Sequence, residues 1–183
     1  MPNERPYVHF SEIVHENRWF RIRHDGITWP NGSPGDYFVL SPPVGGCLVI
    51  AEHDHQILIV EQYRHTIQGS SIEFPKGGIN LNELPKEAAD RELLEETGLR
   101  AGSLTQIGTV QELVGAANYP IHIFVTNDLR TGLIGAERDE TEFDLTARWV
   151  PVEELRMLIR KNWIQDSATL AAWTLYQEYL QRP

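Results

Sequence analysis

Residues 77–99, GGINLNELPKEAADRELLEETGL, decide how the rest of the chain is read. The run from Leu84 to Thr97 has the marks of a helix. Pro85 suits a first-turn position, and Gly98 suits a left-handed stop just past the end. On that helix Glu92, Glu95 and Glu96 stand at i, i+3 and i+4. At ~100° per residue they share one stripe of roughly 100° of arc. Like charges at that spacing repel by roughly a few tenths of a kcal/mol per pair, which a helix tolerates when its partner is cationic. Three carboxylates beside a glycine-rich turn suit a hard divalent cation such as Mg²⁺. A charge run is more commonly a solvated face, so the spacing alone leaves both readings open.

Outward from the helix, the chain reads as strands. Before it come YVHFSEIV, WFRIRHDGITW and YFVLS, then GGCLVIAE and QILIVEQYR; after it come LTQIGTVQEL, IHIFVTNDL and FDLTARWV. All are rich in branched and aromatic residues. Asn31-Gly32 marks a hairpin turn, and His53-Asp54-His55 a tight connection. Ser41-Pro42-Pro43 forms a boundary, because two prolines cannot donate to a sheet ladder. It divides a small β unit, residues 1–42, from a larger domain, residues 43–183. The last third is helical, as PVEELRMLIRKNW and SATLAAWTLYQEYL, with apolar residues at helical spacing. Strands on both sides of one internal helix, with helices at the end, predict a layered α/β or α+β domain.

Composition limits the partners. The chain has 183 residues, 16 Lys+Arg against 26 Asp+Glu, and a net charge of -10. An acidic surface argues against duplex nucleic acid or an anionic membrane as a partner. The apolar runs CLVIA and ILIV are far shorter than the ~18 residues of a membrane span. A single cysteine, Cys47, permits no internal disulfide, which fits a reducing compartment. The expectation is a soluble cytoplasmic protein.

The surroundings of the acidic stripe change its meaning. Gly77, Glu83, Arg91, Glu92, Leu93, Glu95, Glu96, Gly98 and Leu99 fit G-x5-E-x7-R-E-U-x-E-E-x-G-U, where U is a bulky aliphatic residue. This is the Nudix box, matched at every defining position, and the chain resembles the Nudix hydrolases. WFRIRHDGITWPNG, LIVEQYRH, SIEFPKGG, ERDETEF and IQDSATLAAW resemble segments of the branch that acts on ADP-ribose and nucleoside-diphosphate sugars. The resemblance implies an α/β/α sandwich around a mixed sheet, with a small N-terminal β subdomain that mediates homodimerisation, often by exchange between subunits. It implies Mg²⁺-dependent hydrolysis of a pyrophosphate bond, with Mn²⁺ as the alternative ion. The products would be a nucleoside monophosphate and a sugar phosphate.

The resemblance also implies residue roles. Glu92 and Glu96 are the leading cation ligands, with Glu95 assisting and the backbone carbonyl near Lys76 completing the shell. Arg91 orients a box glutamate. In the acidic segment 135–143, Glu140 is matched to the general base and Glu142 to a further cation contact; an exposed acidic turn is the equal alternative. Arg64 is a phosphate clamp, since guanidinium forks match phosphate oxygens. Glu73 reads equally as an acceptor for base or sugar and as an ordinary strand carboxylate. Trp29 and Arg23 lie on a strand that reaches a dimer-shared site in this branch; Trp29 has the face to stack a base, and its plainer reading is a core or interface aromatic.

Two features depart from the ADP-ribose pattern. Where that branch often has a proline beyond the box, this chain has Gly115, and its nearest proline is Pro120. FPKGG is more typical of enzymes acting on dinucleoside polyphosphates or RNA 5′ ends, the alternative activity. The remaining features have structural readings: His53 and His55 as a polar hairpin tip, His122 as a satisfied core histidine, Cys47 as a small buried hydrophobe, and Trp163, Trp173, Tyr176 and Tyr179 as helix core or interface.

Overall fold

The computed structural model describes residues 5–132 and 144–182. The described residues fall into two compact units, one drawn from 1–45 and 111–120 and the other from 46–110 and 121–183.

The first unit is a three-stranded antiparallel sheet in the order β1 (Tyr7–Glu16), β2 (Arg21–Thr28), β3 (Pro34–Ser41). The β2–β3 hairpin turns at Asn31-Gly32, where Gly32 takes φ +84°, a left-handed conformation that glycine adopts at no steric cost. Segment 111–120 is tied to β3: Leu40 N–H donates to Ala116 O at 2.9 Å, and Leu40 O accepts from Asn118 N–H at 2.9 Å. All ten residues of β1 are exposed.

The second unit is a layered α/β domain. Its main sheet runs β12 (Thr146–Pro151), β5 (Gln56–Arg64), β4 (Gly46–His53), β10 (Tyr119–Thr126), β9 (Thr105–Glu112). The short strands β6 (Gly69–Glu73) and β7 (Lys76–Gly78) pair with β5 and β4, respectively. The sheet is mixed, because β10 runs parallel to β4 while β12 and β5 are antiparallel. A separate two-stranded ribbon joins β8 (Leu99–Ala101) to β11 (Leu129–Thr131).

Strand alternation gives each face its own core. Leu48, Ile50, Ile57 and Ile59 pack with Leu155 and Leu158 of α2 (Val152–Arg160) and with Ala168, Ala172 and Trp173 of α3 (Ser167–Tyr179). Cys47, Val49, Ala51 and Leu58 pack on the opposite face with Ala88, Ala89 and Leu93 of α1 (Pro85–Thr97). This is the α/β/α sandwich with a small N-terminal sheet that the resemblance implies. Cys47 is buried.

Three expectations shift in detail. The helix from residue 151 ends at Arg160, because Asn162 takes φ +56° and turns the chain out of the helix. Trp163 is consequently exposed, with the Lys161 ammonium over its ring, so of its two readings, core or interface, the core one does not hold. His122 is half-buried at the sheet surface, where Gln106 and Thr109 hydrogen-bond its Nδ1.

Candidate active site

The site is built in the second unit, where α1 meets β7. Pro85 starts the helix and Gly98, at φ +73°, stops it; the Gly98 N–H bonds Leu94 O. Glu87 reaches back to accept from Leu84 N–H at 3.1 Å, one half of a capping box. The apolar positions Ala88, Ala89 and Leu93 face the sheet. This orientation draws part of the acidic stripe inward, so that Glu92 is 6% and Glu96 1% exposed while Glu95 is half-buried. The stripe is therefore not a solvated face.

Arg91 organises these carboxylates. Its Nε and Nη2 hold both oxygens of Glu83 at 2.8 and 3.0 Å. Its Nη1 donates to Glu92 Oε1 at 2.7 Å and Glu95 Oε2 at 2.9 Å, and Nη2 also reaches Gly78 O at 2.8 Å. The Arg91 hydrogen bonds hold the Glu83 carboxyl below its ordinary range, against a smaller opposing push from burial. Gly77 lies directly against the Glu92 carboxyl, and a β-carbon there would overlap it. Next to it, burial and the Glu92 charge push the Cys47 thiol up to about 12, so this cysteine stays protonated and unreactive.

A second network adjoins Glu96. Lys76 N–H donates to Glu96 Oε2 at 3.1 Å. The Lys76 ammonium lies 3.3 Å from Glu73 Oε2 and 2.5 Å from Asp166 Oδ1. Arg64 grips Glu73 through two bonds, Nε to Oε1 at 2.9 Å and Nη2 to Oε2 at 2.5 Å. Burial pushes the Glu73 carboxyl up, but Arg64 and Lys76 together overcome this and hold it at about 2. Asp166 also caps α3, accepting from Thr169 N–H at 2.9 Å and Thr169 Oγ1 at 2.7 Å, while that hydroxyl accepts from Phe74 N–H at 3.1 Å. The start of α3 is thus fastened to the strands that carry Glu73 and Lys76.

The structure brings together Glu92, Glu95 and Arg91 in the first network and Arg64, Glu73, Lys76 and Glu96 in the second. Glu73, at 2% exposure, is turned to Arg64 and Lys76. Arg23 and Trp29 belong to the first unit, where Arg23 forms a two-pronged bond to Asp25 and Trp29 lies over Gly35. Glu140 and Glu142 lie outside the described residues. Sequence reasoning passed over Asp166, although Asp166 followed by Thr169 before an apolar helix is an N-cap signal. It also gave no role to the Lys76 side chain.

The donor chemistry fits a hard divalent cation. Glu92 and Glu96 are buried carboxylates one helical turn apart, and Gly77 leaves room against one of them. Among the described residues no three His, Cys, Asp or Glu side chains form a ready cage, and Arg91 occupies oxygens of Glu92 and Glu95.

Comparison with known proteins agrees with this geometry. A family model described as the NUDIX domain matches residues 41–173, and one described as the nucleoside diphosphate sugar hydrolase N-terminal domain matches residues 8–40. The methanol dehydrogenase activator of Bacillus methanolicus is 29% identical over 172 residues, covering 93% of this chain and 90% of that protein. The ADP-ribose pyrophosphatase of Bacillus subtilis is 28% identical over 162 residues, covering 88% of this chain and 87% of that one. A crystal structure described as an ADP compounds hydrolase superimposes with a TM-score of 0.85 at 21% identity, over 97% of this chain and 95% of that one, and so shares the fold. With a matched model spanning most of its length and the box glutamates drawn together by Arg91, the chain belongs to the Nudix family of hydrolases.

Proposed function

We propose that the protein hydrolyses the pyrophosphate bond of nucleoside-diphosphate sugars, ADP-ribose among them, to a nucleoside monophosphate and a sugar phosphate, with Mg²⁺ as cofactor and Mn²⁺ able to replace it. The observation that carries this reading is the intact, buried pair Glu92 and Glu96 on α1. A module that only binds ligand has no need to bury two carboxylates at the cost of desolvating them. The substrate class draws support from the match of residues 8–40 to the nucleoside diphosphate sugar hydrolase N-terminal domain and from the likeness to the Bacillus subtilis pyrophosphatase.

Proteins of this family generally need a divalent metal. Glu92 and Glu96 would hold it, with Glu95 and the backbone at Lys76 assisting. Held there, the ion would supply the positive charge that an acidic protein lacks beside a pyrophosphate and would lower the pKa of water. Arg91 keeps the glutamates oriented from behind. Arg64, braced by Glu73, presents its guanidinium to a phosphoryl oxygen. Glu140 is assigned as the general base and Glu142 as a further cation contact. Trp29 and Arg23 are assigned to the nucleoside end.

The activity on dinucleoside polyphosphates, favoured by FPKGG, fits less well. Its lysine, Lys76, is committed to Glu73 and Asp166 and so is not offered to a longer anionic chain.

A homodimer formed through the first unit belongs to the same proposal. β1 is an edge strand exposed along its whole length, and Tyr7, Val8, Phe10, Ile13 and Val14 are all exposed on it. Such an edge is a template for pairing with another chain. Among the described residues no helix is long and apolar enough to cross a membrane, and the lone Cys47 fits a cytoplasmic setting. The activity is tested by chromatography of products from ADP-ribose, GDP-mannose and diadenosine tetraphosphate with Mg²⁺. Release of AMP and ribose 5-phosphate from ADP-ribose supports the reading. Cleavage of the tetraphosphate with no turnover of either sugar nucleotide rejects it. Light scattering tests the dimer: a monomeric full-length chain rejects it.

A further inference from the structure

Gln62 is a buried residue whose chemistry the resting molecule does not use. It is 2% exposed, and neither its amide oxygen nor its amide nitrogen has a hydrogen-bond partner among the described residues. Ser71 stands directly across the β5–β6 pair, and its hydroxyl helps to lower the Glu73 carboxyl while leaving the amide unpaired. A primary amide can make four hydrogen bonds, and each buried group left unpaired carries its full desolvation cost. A methionine or leucine would fill the same volume without that cost.

The position of the amide gives it a purpose. Alternation along β5 sets Leu58, Val60, Gln62 and Arg64 on one face of the strand. Leu58 on that face packs with Ala88, Ala89 and Leu93 of α1, so this is the face that carries the acidic helix. Arg64, one step further along, is the group with solvent access, its side chain 37% exposed, and it is fixed by Glu73. A ligand seated against the Arg64 guanidinium would have Gln62 next to it, further inside. Such a ligand must offer the amide both an acceptor and a donor. A hydrated diphosphate does so, through a phosphoryl oxygen and the water that accompanies it.

We infer that Gln62 is a substrate-binding residue: its Nε2 donates to a phosphoryl oxygen beside Arg64, and its Oε1 accepts from a water molecule brought in with the diphosphate. The inference rests on the proposed reading of the site as a nucleotide-diphosphate site. It explains why a polar residue stands where packing alone favours an apolar one.

The test uses Gln62→Met and Gln62→Leu in the full chain. Thermal melting is measured without metal or nucleotide, and affinity by calorimetry with Mg²⁺ and the ADP-ribose analogue whose bridging oxygen is replaced by methylene, which cannot be cleaved. Both variants are expected to melt with the wild type or about 2–4 °C above it, and to bind the analogue about tenfold or more weakly. A lower melting temperature in both variants means that the amide is paired in the resting chain and overturns the inference. A drop in only one reflects its shape, and the other decides. Wild-type affinity in the variants also overturns it, leaving the function intact. Failure of the wild type to bind the analogue removes the functional reading and this inference with it.

Discussion

The Glu92 carboxyl rests on the α-carbon of Gly77, with no space between them for a side chain. The first glycine of the box is therefore required by a close approach. Gly77→Ala should push Glu92 away from Arg91, destabilise the fold by about 1–3 kcal/mol and lower ADP-ribose turnover. Gly78→Ala is the control, because a β-carbon there meets nothing within 4 Å. Chemical denaturation and initial rates on both variants check this; equal behaviour of the two would contradict the packing.

Arg91 serves Glu83, Glu92, Glu95 and the Gly78 carbonyl at once. A lysine keeps the charge but not the planar fork. Arg91→Lys should lower stability by about 1–3 kcal/mol and reduce kcat more than it raises KM, because it releases the glutamates without touching substrate. Steady-state kinetics separates the two effects. A variant that changes KM alone would place Arg91 against the substrate.

In the first unit, His24 stacks on Phe38 at 4.5 Å and bonds Asp36 at 2.7 Å and Glu12 at 3.4 Å. The Asp36 hydrogen bond raises the His24 pKa most; burial lowers it, and Glu12 raises it further. A raised folded pKa means stabilisation that is complete below the ordinary histidine value and is lost as pH rises through the raised one. Asp36→Asn should shift the His24 NMR titration midpoint downward, and Glu12→Gln should shift it less. No shift with Asp36→Asn would contradict the pairing.

Much of this was legible because it is local. Pro85 and Gly98 bracket α1, and the expected helix from Leu84 differs from the observed one by a single residue. The short strands escaped notice for equally local reasons. β7, β8 and β11 span three residues each, too few to show alternation, and Pro75 separates β6 from β7. Other features depend on contacts distant in sequence. Nothing near Lys76 announces that Asp166 will meet its ammonium. Nor does anything near Leu40 announce its pairing with segment 111–120. Gln62 sits in the polar end of a strand, EQYR, and looks ordinary until its burial is known.

Glu92 and Glu96 are proposed to hold the divalent cation on which hydrolysis depends. The most direct test is Mn²⁺ binding by electron paramagnetic resonance to the wild type and to Glu92→Gln and Glu96→Gln, with ADP-ribose turnover measured on the same samples. Each variant should melt within a few degrees of the wild type, bind Mn²⁺ at least about tenfold more weakly and lose turnover by about a hundredfold or more. Wild-type Mn²⁺ affinity or wild-type turnover in a folded Glu96→Gln protein would contradict that role.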